Sequence, residues 1–80
     1  MAKTKEEKFL VAVYETALAF GDFSHEVNRY TVGQKIGLHP KGIDTICNQL
    51  AQANFIKKCG PEQVIVTPNG LALVQEILGE

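Results

Sequence analysis

Residues that bind metals or carry redox chemistry are scarce in this chain. It contains two cysteines, two histidines and no tryptophan. Cys47 and Cys59 form no Cys-x-x-Cys pair, and the histidines have no spacing typical of a zinc site. We therefore expect no metal ion and no disulfide, with both thiols reduced as in the cytoplasm. Cys59 follows Lys57 and Lys58, so either a lowered thiol pKa or an inert thiol is conceivable there.

The groupings that catalysis needs are missing as well. Ser24 and His25 are neighbours in a predicted loop, where they cannot form a relay, and no acid is placed to orient the histidine. There are no paired carboxylates and no glycine-rich phosphate loop. We expect no enzymatic activity and no cofactor.

Long apolar runs are absent. The segment Met1–Lys8 carries five charges, which does not fit a signal peptide. No stretch of about 20 apolar residues exists that could span a membrane. Apolar residues still make up 45% of the 80 residues, which is typical of a folded domain. We expect one domain over residues 1–80, located in the cytoplasm, with little room for a deep pocket.

Charge is unevenly distributed along the chain. The formal net charge is −1, but the segment from Arg29 to Lys58 holds five basic residues and one acid, Asp44. A local concentration of basic residues favours a phosphate-binding face. Chance clustering of solvated lysines is an equally weighted alternative.

Cap signals delimit the first two predicted helices. Thr4 and Glu7 have the spacing of a capping box, and the helix should run to about Phe20, where Gly21 ends it. Its core face is expected to consist of Phe9, Leu10, Val13, Ala17 and Phe20. Thr31 and Gln34 form a second capping-box candidate for a short helix. Before it, residues 22–28 are expected to be a loop and Arg29-Tyr30 a very short strand.

The second half of the chain predicts a helix, a hairpin and a last helix. Pro40 suits a helix start, and the third helix should run from Lys41 to about Asn54 with an inward face of Ile43, Ile46, Cys47 and Leu50. Phe55–Lys58 and Gln63–Thr67 are rich in strand-forming residues around a Gly-Pro turn. Thr67-Pro68 then starts a helix whose apolar side is Leu71, Val74, Ile77 and Leu78. The expected fold class is mainly α with a small β-hairpin, in the order helix, helix, helix, hairpin, helix.

Two glycines predict a close crossing of the second and third helices. Gly33 provides a small residue where the backbones approach, and Gly37 provides a turn residue that tolerates positive φ. The expected anchors around this turn are apolar: Val32, Ile36, Leu38, Ile43 and Ile46.

The segment TVGQKIGLHPKGIDTICNQL, with QANFIKK and VIVTPNG after it, resembles the winged helix-turn-helix domains of bacterial transcription regulators. The resemblance covers about residues 5 to 78. It implies that the helix from Lys41 to Asn54 enters the major groove of duplex DNA, with the hairpin lysines over the phosphate backbone.

The predicted outward face of the third helix is polar and holds no arginine. Asparagine and glutamine can read adenine, and lysine can bind phosphate or guanine. The residues expected to contact DNA are Arg29, Thr31, Lys41, Asp44, Thr45, Asn48, Gln49, Gln52, Lys57 and Lys58. We expect duplex-DNA binding in transcriptional regulation; the alternative is a protein-interaction module that kept the scaffold and lost the groove chemistry.

An additional apolar stripe on the first helix consists of Val11, Tyr14 and Leu18. The last helix could cover it within one chain. Alternatively, the stripe and the wide apolar arc of the last helix (Leu71, Leu73, Val74, Ile77 and Leu78) could form a homodimer interface.

Overall fold

The computed structural model describes residues 4–79 and is mainly helical, with a small antiparallel sheet. Its elements in chain order are α1 (Lys5–Ala19), β1 (Val27–Asn28), α2 (Arg29–Lys35), α3 (Pro40–Gln52), β2 (Ile56–Lys58), β3 (Gln63–Val66) and α4 (Pro68–Gly79). The predicted order of helices and hairpin is therefore confirmed, with one strand, β1, added between the first two helices.

The capping box that starts α1 is confirmed. The Thr4 hydroxyl accepts a hydrogen bond from the Glu7 amide at 3.1 Å, and the Glu7 carboxylate accepts one from the Thr4 amide at 2.9 Å. The helix ends at Ala19 with Phe20 as its C-cap, and Gly21 follows with φ of +124°. A residue with a Cβ would be strained at that φ, so Gly21 allows the chain to turn there.

The start of α2 differs from the prediction. Asn28 caps this helix, because its side-chain oxygen accepts hydrogen bonds from the amides of Tyr30 and Thr31 at 2.9 and 3.1 Å. The capping box predicted at Thr31 with Gln34 is therefore wrong. The strand predicted at Arg29-Tyr30 is also wrong, since both residues are helical and the extended segment lies just before them. Asparagine is a strong N-cap, and here it satisfies two amides at once.

The three strands form one sheet in the order β1-β3-β2, antiparallel throughout. The predicted hairpin is confirmed as β2 and β3, paired through Ile56 with Val66 and Lys58 with Val64. The predicted loop over residues 22–28 is wrong at its end, because Val27 pairs with Val64. The third helix and both hairpin strands are slightly shorter than predicted. Asn54, with φ of 65°, lies in the turn between α3 and β2, beyond the helix end.

The close approach of α2 and α3 at Gly33 is confirmed. A Cβ on Gly33 would overlap the Cγ1 and Cδ1 atoms of Ile43, so no larger residue fits without movement. Gly37 has the expected positive φ, 82°, in the turn between the helices. The Leu38 amide donates to the Gly33 carbonyl at 2.9 Å, which closes this turn.

One apolar cluster lies between the helices and the sheet. Its fully enclosed members include Phe9, Val13, Ile43 and Val64. Two expected core residues lie outside it: Ile36, the C-cap of α2, is exposed, and Phe20 is 64% exposed. Phe20 instead stacks on the ring of His25, with centroids 5.0 Å apart.

Helix α4 packs against α1 and covers most of its second apolar stripe. Val11 is buried and Tyr14 is half-buried, whereas Leu18 remains 45% exposed. On α4, Val74 is buried, while Leu71, Leu73 and Ile77 are half-buried. None of the helices within residues 4–79 is long and apolar enough to cross a membrane.

Candidate nucleic-acid interface

Helix α3 separates its apolar and polar residues onto opposite sides. The predicted inward residues Ile43, Ile46, Cys47 and Leu50 are all buried. The outward face consists of exposed residues: Lys41, Asp44, Thr45, Asn48, Gln49 and Gln52. With a rise of about 1.5 Å per residue, a helix of 13 residues is roughly 20 Å long. The diameter of an α-helix, not its length, decides whether it enters the major groove, and it fits the groove width of about 12 Å.

Asp44 and Thr45, both on the outward face, are already engaged within the chain. Asp44 accepts a hydrogen bond from the Tyr30 hydroxyl at 2.6 Å, and its carboxylate lies 3.7 Å from Nε of Arg29. The Thr45 hydroxyl donates to the carbonyl of Lys41 at 3.0 Å. The negative charge of Asp44 is therefore compensated by Arg29.

Arg29 is held inside a network that joins α2, α3 and the hairpin turn. Its side chain is 12% exposed, and one terminal nitrogen donates to the carbonyl of Pro61 at 2.9 Å. The same nitrogen donates to the Tyr30 hydroxyl at 3.4 Å, and this hydrogen bond raises the pKa of Arg29. One terminal nitrogen of the guanidinium is thus directed at the hairpin turn and at Tyr30, whereas the buried Nε lies near Asp44 and has no hydrogen-bond partner.

The hairpin turn is tied back to the start of α2. The Arg29 amide donates to the carbonyl of Glu62 at 2.9 Å, and the side-chain amide of Asn28 donates to the Glu62 carboxylate at 3.0 Å. The turn therefore has a fixed position and exposes an acid, Glu62, rather than a lysine. Basic residues on this hairpin occur only in β2.

The two lysines of β2 point to opposite sides of the hairpin. Successive side chains of a strand alternate between faces, and paired residues share a face. Lys57 pairs with Ile65, whereas Lys58 pairs with the buried Val64. The Lys58 ammonium group reaches the outward face of α3 and donates a hydrogen bond to the side-chain oxygen of Asn48. Of the two lysines, Lys58 is thus the one joined to α3.

A shallow groove of about 610 Å³ runs between the end of α3 and β2. Its walls are formed by Asn48, Ala51, Gln52, Asn54, Ile56, Lys57, Lys58 and Thr67. The structure thus brings four predicted site residues together here: Asn48, Gln52, Lys57 and Lys58. Thr31 is not among them, because it lines a separate hollow with Phe20 and Lys35 between α1 and α2.

The two thiols differ in accessibility, and neither has a lowered pKa. Cys47 is enclosed in the core, and burial raises its pKa to about 11. Burial also raises the pKa of Cys59, with a further increase from Glu26 that outweighs the opposing effect of Lys57. The lowered pKa considered for Cys59 is therefore wrong, because the adjacent lysines act less strongly than burial and Glu26.

Sequence reasoning missed Tyr30 and Asn28, which hold this surface in place. Tyr30 was expected in a strand, where its hydroxyl would have had no route to Asp44. A signal for Asn28 was present, since asparagine is a strong N-cap. Nothing local in the sequence indicates the Tyr30–Asp44 contact, which spans 14 positions.

Comparisons of the chain with protein-family models, with curated proteins and with solved structures give no match. Within residues 4–79, no group of three or more His, Cys, Asp or Glu side chains is placed to hold a metal ion. The outward face of α3 and the neighbouring β2 lysines form the candidate site.

Proposed function

We propose that this chain is a winged helix-turn-helix domain that binds duplex DNA through α3, with β2 and β3 as its wing, in the regulation of transcription. The observation that carries the proposal is the continuous polar outward face of α3, joined at Asn48 to a lysine of the hairpin. Such a face offers donors and acceptors to base edges, and the lysines offer charge to phosphates.

Charge compensation at Asp44 supports this proposal. An unpaired carboxylate on the outward face would repel the phosphates that flank the groove. Arg29 lies against this carboxylate, so the charges left on α3 and β2 are those of three exposed lysines, Lys41, Lys57 and Lys58. The surface is therefore attractive to an anion despite the net charge of −1.

Fluorescence anisotropy with a labelled duplex, repeated over a series of salt concentrations, tests DNA binding. Lys41→Ala, Lys57→Ala and Lys58→Ala should each weaken binding and reduce the slope of log K against log salt by about 0.9, because one phosphate contact is lost. Lys8→Ala is the matched control, since Lys8 is an exposed lysine on α1. It should leave the slope unchanged.

Protein docking is the second candidate, and it is favoured by the absence of arginine from the outward face and by the acid at the hairpin turn. Non-specific binding to DNA is strongest at low salt. If the parent chain binds no duplex at about 50 mM salt, DNA binding is rejected in favour of protein docking.

A further inference from the structure

Asn48 and Lys58 form a pair with a defined hydrogen-bonding polarity. The ammonium group of Lys58 has three donors and no acceptor, so the group of Asn48 that faces it must be the side-chain oxygen. This hydrogen bond uses one of the two lone pairs of the oxygen, and the amide of Asn48 keeps its two N–H donors. Lys58 retains two further N–H donors. Toward the groove the pair therefore presents four N–H donors against one acceptor lone pair.

This polarity disfavours the usual way in which asparagine reads a base. To bind adenine, asparagine must accept a hydrogen bond from N6 and donate one to N7. The ammonium of Lys58 already donates to this oxygen, so it would set a cationic donor beside the N6 amino group, which is also a donor. Guanine, in contrast, presents two acceptors in the major groove, N7 and O6, and no donor there.

We propose that Asn48 and Lys58 act together as a guanine-reading unit in which the amide of Asn48 and the ammonium of Lys58 donate to O6 and N7 of one base. This proposal rests on the proposed DNA binding and specifies which base α3 prefers within a duplex. The sequence had indicated adenine for Asn48; the contact with the hairpin lysine changes this expectation to guanine.

The choice of duplexes provides the test. One duplex carries G·C pairs, a second has A·T pairs in their place, and a third carries 7-deazaguanine, which keeps Watson–Crick pairing but lacks the N7 acceptor. A well-formed pair of hydrogen bonds to a base corresponds to a preference of about 5- to 100-fold. The parent chain should prefer the G·C duplex by this amount and lose most of the preference with 7-deazaguanine.

A variant of Asn48, with a matched control, tests the pairing of Asn48 and Lys58 itself. Asn48→Asp keeps the shape and the partner for Lys58 but removes both amide donors, so the preference for guanine should be lost. Gln75→Glu is the matched control, because it makes the same change of charge at an exposed position of α4, outside the groove that Asn48 and Lys58 line. It should leave the preference for guanine unchanged. Both exchanged side chains are exposed and are replaced by near-isosteres, and thermal melting of each variant checks that it is folded.

The outcomes separate the two proposals. Equal binding to the G·C and 7-deazaguanine duplexes, or a preference for A·T pairs, would overturn guanine reading while leaving DNA binding intact. Retention of the preference by Asn48→Asp would also overturn it. The absence of binding to any of the duplexes at low salt would overturn both proposals.

Discussion

Replacing Gly33 by alanine should force α2 and α3 apart at the point where they touch. The added Cβ would lie far inside the ordinary carbon–carbon contact distance of about 3.5–4.0 Å from both Cγ1 and Cδ1 of Ile43. Ile43 is completely buried, so its side chain can move only among the atoms of a close-packed core. Either the isoleucine leaves its preferred rotamer or the helices separate.

The magnitude follows from two opposing effects. Overpacking of a core costs about 1–3 kcal/mol. Alanine regains about 0.5–1 kcal/mol relative to glycine within a helix, so we expect a net loss of about 1–2 kcal/mol. For a domain of this size, 1 kcal/mol changes Tm by about 4–8 °C, so Tm should fall by about 5–15 °C.

Gly42 provides the matched control. It lies in α3, and a Cβ added there would meet no atom within 4 Å outside its own local backbone. Gly42→Ala should therefore stabilise the fold by about 0.5–1 kcal/mol through helix propensity alone. Thermal melting and urea denaturation of both variants measure the difference. If Gly33→Ala melts at or above the temperature of the parent, the crossing at Gly33 is not close and the reasoning is refuted.

Three further predictions concern the core thiol Cys47, the contacts of Arg29 and the formation of a homodimer. Above about pH 9 the thiol of Cys47 ionises in the unfolded chain but not in the fold, where its pKa is about 11. The free energy of unfolding should therefore decline as the pH rises from about 9 to about 11. Measured by urea denaturation, this decline should be smaller in Cys47→Ala. Arg29→Ala should destabilise the chain by about 1–3 kcal/mol, because the Pro61 carbonyl loses a charged donor while the half-exposed Asp44 adds little, and amide exchange should accelerate in the hairpin. A homodimer through Leu18 and Leu78 should sediment at twice 8.8 kDa at micromolar concentration; a species of 8.8 kDa alone contradicts it.

Local sequence patterns were sufficient to predict the elements in which buried residues recur at helical or strand spacing. The inward residues of α3 recur at intervals of three and four, and all are buried as predicted. The strands β2 and β3 are separated by a Gly-Pro turn, which is a local signal. These features depend on residues close together in the chain, so one sequence is enough to predict them.

The start of α2 could not be predicted, because two residues compete for the same role. Asn28 and Thr31 are both good N-caps and lie three positions apart. The pairing of Val27 with Val64 places the strand immediately before Arg29 and leaves Asn28 at the cap. This pairing joins distant parts of the chain, so no local pattern contains it.

The candidate site was only partly predictable for the same reason. The exposed face of α3 follows from its periodicity, but the availability of each polar group depends on tertiary contacts. Arg29 was expected to contact DNA, yet its donors reach Pro61 and Tyr30 within the fold. Asn48 was expected to offer both a donor and an acceptor, but its oxygen already accepts a hydrogen bond from Lys58, which sets a cation beside it.

These contacts also determine how strongly salt should affect binding. If Arg29 and Asp44 compensate each other, three lysines remain to contact phosphates, and the slope of log K against log salt should be about −3. A rise from about 50 to 200 mM salt would then weaken binding only about 40-fold, far less than the 10³-fold or greater loss of proteins with six or more phosphate contacts. Specificity would consequently depend on the polar contacts of α3 more than on charge. A measured slope near −6 would indicate two copies of the chain on each duplex, as the homodimer requires. A slope near zero would contradict phosphate contacts by these lysines altogether.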